Sequence, residues 1–345
     1  MLYRKLGRTN LNVSVIGIGG GAFKNTEVST IQIKNVISQA IENGVNFIET
    51  AEDYGEEKIS LAIRDCKEKI ILASKSFSSS EKEMKKSIEN SLKKLQVKKI
   101  DIYMMHTVES LESLNFRIKN GVLAALKKEK KEGKIDWIGI TTHSIRVGIE
   151  AIRTNEFDVI EIPYCIGSYE TEKIFKHAKK YKVGIISMRP FGGGILIDRS
   201  KKMEFMNIKN ALGYALSNKN VACALVGTKN EIHMKEIIEA VNSLNFSKIN
   251  RKGILKNVEK ILGKDFCRGC LACMPCKKYG WWFPIDQLMR IWTFYFKYKI
   301  KSSLEECKKI RNQVGKCSYC KECEKKCPYK VPITRNLKML ERQAG

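Results

Sequence analysis

The chain has 345 residues, 43% of them hydrophobic, with a mean hydropathy of -0.28. That is too long for one average domain and ample for a large buried core. The formal net charge of +26 invites nucleic acid as a partner, but the 63 basic residues are 49 Lys and 14 Arg, dispersed over nearly every expected helix. Without the arginine-rich stripe that suits phosphate recognition, no nucleic-acid role is expected; acidic proteins and anionic substrates are the partners such a surface attracts. No apolar run nears the roughly 18 residues a membrane-spanning helix needs, and the N-terminal MLYRKLGRTNLNVSVIGIGG reads as hairpin and strand, not signal peptide. A cytoplasmic protein is expected.

Eight β-branched runs follow along the chain: 13–19, 45–51, 70–76, 100–106, 137–143, 159–165, 184–190 and 221–228. Amphipathic segments such as IQIKNVISQAIENG, EKEMKKSIENSLKKLQ and TEKIFKHAKKYK lie between them, with apolar residues at spacings of three and four. Eight strand–helix units in about 250 residues predict a (β/α)8 barrel over 1–255, its central strands buried and hence continuously apolar. A doubly wound sheet is the rival, but GIGGGAF at 17–23 lacks the spacing of a dinucleotide-binding turn.

Barrel enzymes build their sites at the C-terminal ends of the strands. The polar residues found there are Glu49, with Asp53 and Tyr54 just beyond, then Lys75, His106, Thr142, His143 and Arg189. VNFIETAEDYG, ILASK and YMMH in this order resemble the aldo-keto reductases, which pass hydride from a nicotinamide to a carbonyl. The resemblance implies Tyr54 as proton donor, Lys75 as the cation that lowers its pKa, His106 as the group orienting the carbonyl oxygen, and Glu49 where the family carries Asp. The chemistry needs this company, because a free Tyr with a pKa near 10 is a poor acid at neutral pH.

The same resemblance implies a cofactor site. Thr142 and His143 in IGITTHS and Glu161, where a Gln is usual, fall at the nicotinamide amide; Met188 and Arg189 in MRPFGGG fall beside the ring. VGTKNEIHMKE after the eighth strand supplies Gly227 and Thr228 at a helix N-terminus, a natural anion site, with Lys229 and Lys235 as candidates for a 2′-phosphate. NADPH is therefore expected over NADH.

Twelve cysteines in a reducing compartment point to metal ligation rather than disulfides. Cys66, Cys165, Cys223 and Cys307 stand alone and read as ordinary core or surface residues. The other eight form two runs, CRGCLACMPC (Cys267, Cys270, Cys273, Cys276) and CSYCKECEKKCP (Cys317, Cys320, Cys323, Cys327). The second is the bacterial ferredoxin run, whose fourth cysteine serves the other cluster. Two 4Fe-4S clusters follow by analogy: Cys267, Cys270, Cys273 and Cys327 on one, Cys317, Cys320, Cys323 and Cys276 on the other. Two zinc ions are the alternative, though zinc favours separated Cys-x-x-Cys pairs. FCRGCLACMPC and CEKKCPYKVPI resemble the tail of one aldo-keto reductase branch, so 256–345 is expected to be a small, mainly helical, ferredoxin-like domain.

Between the runs, residues 277–316 look helical, and 279–298 contain nine aromatic residues, Trp281 and Trp282 among them. These either shield the clusters or form a docking surface. An oxidoreductase reducing an unspecified carbonyl is the expected function, with the clusters passing electrons to or from a partner such as an acidic ferredoxin. The rival is an electron-transfer protein whose barrel has lost hydride chemistry, a reading that Glu49 and Glu161 favour. Nicotinamides release two electrons together and clusters accept one, so exchange between them needs an intermediary such as a flavin.

Overall fold

A computed structural model describes residues 1–24, 28–64, 66, 70–198, 203–280, 282–309 and 316–344. Trp281 lies outside the described residues, as does the side chain of Cys307. The described residues fall into two compact units. The first comprises 1–163, 171–188 and 215–247; the second comprises 164–170, 189–214 and 248–345.

In the first unit a hairpin of β1 (Tyr3–Lys5) and β2 (Asn12–Ser14) precedes eight parallel strands that close into a barrel. These are β3 (Ile16–Gly19), β4 (Phe47–Glu49), β5 (Ile71–Ser76), β6 (Ile100–Met105), β7 (Ile135–Thr141), β8 (Val159–Pro163), β9 (Gly184–Met188) and β10 (Val221–Val226). Each pairs with its sequence neighbour and β10 returns to β3, matching Ala224 to Ile16. All eight expected strands are present. The run 13–19 serves two structures, because its first part continues the hairpin and only Ile16–Gly19 enters the barrel.

Apolar runs become strands here because both faces are covered: Val159, Ile160 and Ile162 of β8 are at most 1% exposed. Phe47, Ala73, Ile102, Met104, Ile186 and Cys223 meet inside the barrel. Gly17 belongs to the same packing, since a Cβ there would stand 2.8 Å from the Phe47 ring and 2.9 Å from Cys223 Sγ. Serine side chains cap the helices that follow several strands, as Ser29, Ser80, Ser110 and Ser144 accept bonds from backbone N–H groups in the first turn.

The second unit has a small core built on the helices Ile285–Trp292 and Ile333–Ala344, with Phe283, Leu288, Tyr329, Val331 and Leu337 buried and the cysteines packed against them. The aromatic segment divides there. Phe283 and Tyr298 are buried, while Trp282 is 85% exposed. Of the isolated cysteines, Cys165 and Cys223 are buried and Cys66 is half-buried. Among the described residues, no helix is long and apolar enough to cross a membrane.

Candidate functional site

Lys75 lies at the C-terminal end of β5, one residue before its last, and is only 2% exposed. An ammonium so placed must be paired. Two strands supply carboxylates: Glu49, closing the adjacent β4, forms an ion pair with Lys75 Nζ through Oε1, and Glu161 Oε2 of β8, three strands further round the barrel, stands 3.6 Å from the same nitrogen. The second oxygen of Glu49 accepts a bond from Gly20 N–H at 3.2 Å, which holds the longer side chain in place. Burial lowers the Lys75 pKa, and Glu161 acts against that shift.

Tyr54 lies beyond β4, its ring centroid 5.0 Å from Lys75 Nζ and its hydroxyl 3.5 Å from His106 Nε2. The strand ends thus bring Glu49, Tyr54, Lys75 and His106 together. His106 is 5% exposed and sits beneath Phe77, with ring centroids 4.0 Å apart. Its Nδ1 has no partner among the described residues. Burial, then the Lys75 charge, holds the His106 pKa well below its usual value, so the ring is neutral. Asp53 points elsewhere and pairs with Lys24 at 2.5 Å.

The expected nicotinamide positions are more dispersed. Thr142 is buried and its hydroxyl accepts from Ser144 N–H at 3.0 Å. His143 Nδ1 is 2.6 Å from Glu109 Oε1, and its backbone N–H also donates to Glu109. Glu109 carries no motif, and only the fold brings it to His143 from 34 residues away. Glu161 faces Lys75, Met188 is half-buried against the barrel core, and Arg189 belongs to the second unit, where it pairs with Asp286.

Beyond β10, Gly227 is exposed and the Thr228 hydroxyl accepts from Asn230 N–H at 3.1 Å. Asn230 caps the helix Glu231–Asn242. Lys229 lines a cavity with Gln32, Asn35, Asn230, Glu231 and Ile232; Lys235 is exposed and is not part of that lining.

In the second unit the two cysteine runs repeat one backbone pattern. Gly269 N–H donates to Cys267 Sγ at 3.3 Å, and Tyr319 N–H donates to Cys317 Sγ at 3.4 Å. Gly269, Leu271, Tyr319 and Lys321 all have φ between 51° and 62°, at matching places in the two runs. Successive left-handed residues turn the chain around a central object and point N–H groups inward, which suits an anionic group. Burial pushes the Cys267 and Cys270 thiols up to about 12. Burial, then the charges of Cys267, Cys270, Cys327 and Cys323, raises Cys273 well above the usual thiol range. Cys276, Cys317, Cys320 and Cys323 line a separate cavity with Lys277, Lys278 and Lys321. Arg268 is 1% exposed and lies 3.9 Å from the Phe266 ring and 4.7 Å from that of Tyr329, a burial its charge did not suggest.

The model for the aldo/keto reductase family matches residues 15–210, and that for a 4Fe-4S dicluster domain matches residues 266–332. L-galactose dehydrogenase of Arabidopsis thaliana is 28% identical over 302 residues, covering 75% of this chain and 93% of the plant protein. An uncharacterised oxidoreductase of Bacillus subtilis is 23% identical over 313 residues, covering 76% and 99%. Among solved structures, an aldo-keto reductase of Bacillus halodurans in its holo form aligns with a TM-score of 0.66 at 22% identity, covering 74% of this chain and 96% of that one. A Pseudomonas aeruginosa aldo-keto reductase aligns at 0.59 with 25% identity, covering 70% and 95%.

The neutral His106 has a consequence for stability. Below about pH 6.5 the unfolded chain binds a proton at this residue that the native protein refuses, so stability falls as the pH drops through that range. Denaturant titrations of anaerobic protein at pH 7.5 and 5.5 should show a smaller loss in His106→Gln than in the parent. Equal losses would mean that His106 is not held neutral.

Proposed function

The chain belongs to the aldo/keto reductase family, and from that premise we propose that it reduces a carbonyl substrate at the Tyr54–Lys75 centre, using NADPH, and carries two 4Fe-4S clusters in its tail. The observation that supports this most is the buried Lys75 ammonium, paired with Glu49 and set under Tyr54 beside a neutral His106. A nicotinamide bound at the strand ends would supply hydride to the carbonyl carbon. Tyr54 then gives its phenolic proton to the carbonyl oxygen, where negative charge develops. Lys75 stabilises the phenolate left behind, and Glu49 fixes Lys75. A neutral His106 can donate one hydrogen bond to the same oxygen and so orient the substrate.

Thr142, His143, Glu161 and Met188 remain the candidates for the nicotinamide, and Gly227, Thr228, Lys229 and Lys235 those for the phosphates. The lining position of Lys229 favours NADPH; Lys235 is exposed and not part of that lining. A second reading, an electron-transfer protein with a silent barrel, draws on Glu161: a second carboxylate on Lys75 offsets the charge that should activate Tyr54. Calorimetry with NADPH and NADH tests this, because a barrel that binds neither does not carry out hydride chemistry.

For the tail, Cys267, Cys270, Cys273 and Cys327 would hold one cluster, and Cys276, Cys317, Cys320 and Cys323 the other. The repeated left-handed turns and N–H···S bonds support two sites of one kind. Zinc is disfavoured because it favours separated Cys-x-x-Cys pairs over two triplet runs with a Cys-Pro end. Cys320 is exposed beside Lys277, Lys278 and Lys321, an arrangement that suits an acidic redox protein such as a ferredoxin.

Tyr54→Phe should slow carbonyl reduction about 10²- to 10⁴-fold while leaving NADPH binding by calorimetry nearly intact; a variant that keeps full activity would remove Tyr54 from the proton-donor role. Anaerobically purified protein should contain about eight irons and eight sulfides per chain, on the two-cluster reading. Cys270→Ala and Cys320→Ala should each lose half of them. Stoichiometric zinc without labile sulfide would refute the cluster reading. Reduction by an acidic ferredoxin should slow as salt rises, and a rate indifferent to salt would argue against the lysine-rimmed entry.

A further inference from the structure

The segment Arg189 to Gly194 and the first cysteine run lie in the same compact unit. Their backbones touch: a Cβ on Gly269 would stand 2.1 Å from Gly192 O and 2.4 Å from its carbonyl carbon. Both glycines have positive φ, 60° and 59°, so each meets a requirement of space and of conformation together. Arg189 opens this segment with φ 55°, a conformation that costs a side-chain-bearing residue energy and persists where the surroundings enforce it.

The enforced backbone aims the guanidinium. Arg189 Nη2 reaches Asp286 Oδ2 at 3.3 Å, in the first turn of the helix Ile285–Trp292. It fills the place beside Gly193, where a Cβ would come within 2.4 Å of it. The same Cβ on Gly269 would stand 3.1 Å from Gly193 N, and Gly269 N–H donates to Cys267 Sγ at 3.3 Å, so the guanidinium beside Gly193 and its carboxylate partner lie next to the turn that holds Cys267. The glycines of this segment therefore serve to bring a cation and its counter-ion to one cysteine of the tail.

We propose that Arg189 and Asp286 set the reduction potential of the cluster held by Cys267, an inference that rests on the two-cluster reading. Reduction adds one electron and no proton to that cluster, so its negative charge grows. A nearby cation stabilises the added charge and raises the potential; a nearby carboxylate lowers it. Arg189 is thus a tuning residue for the cluster, and Asp286 moderates it.

The test is an anaerobic redox titration of the full chain with mediators, followed by the paramagnetic signal of each cluster. Arg189→Gln should shift one cluster's potential downward, Asp286→Asn should shift the same one upward, and Arg189→Lys should leave it near the parent value. The affected signal should be the one lost in Cys270→Ala. Shifts of the same sign in the Gln and Asn variants, equal shifts at both clusters, or no shift would overturn the proposal. If Arg189→Gln assembles no cluster, the Lys and Asn variants still carry the test. Iron and sulfide analysis keeps the two failures apart, because a parent chain lacking them strikes at the cluster reading and a loaded chain with unmoved potentials strikes at Arg189 alone.

Discussion

A lysine ammonium inside a barrel cannot be left alone. Its desolvation is repaid only by close opposite charge, and that requirement organises the first unit around Lys75. Glu49 must reach it, which explains why Gly20 N–H braces the far oxygen of a side chain one methylene longer than the family's Asp. Glu161 reaches it from β8 as well. Tyr54 and His106 complete the group because β4, β5 and β6 are adjacent, in register, and end at the same rim. The register of Lys75 against Met104 and Ala73 against Ile102 fixes which side chains can meet.

The second unit solves a different electrostatic problem. Sulfurs raised in pKa by burial become good ligands only when something more positive than a proton replaces it, and metal centres do that. Around them the chain offers inward N–H groups, left-handed turns and a buried guanidinium at Arg268. The two units thus suit two kinds of electron movement, pairwise as hydride and singly through iron. Direct exchange between them would pass through a nicotinamide radical.

Much of this was legible in the sequence, for definite reasons. Parallel strands are covered on both faces, so β3 to β10 announced themselves as apolar runs. Cysteine spacing within each run is local, and the pattern of turns follows from it. What escaped was set by contacts between distant residues. Glu109 and His143 are separated by 34 residues, Arg189 and Asp286 by 97, and neither pair shares a motif. Glu161 was legible as a site residue through the family resemblance, at a position where a Gln is usual, but its approach to Lys75 is set by the tertiary fold. The GGG of 192–194 was legible as a glycine motif, yet its contact with Gly269 required the tertiary fold.

The central claim is that hydride chemistry in the barrel and one-electron chemistry in the tail are separate within this chain. It is tested most directly by adding NADPH to anaerobic, oxidised protein at a solution potential negative enough to reduce the clusters, while recording protein fluorescence and cluster colour together. The account predicts a fluorescence change from bound nicotinamide with the clusters still oxidised, and bleaching only when dithionite or a reduced low-potential ferredoxin is added. Rapid bleaching by NADPH alone, without added flavin, would contradict it and make the protein a conduit from nicotinamide to iron.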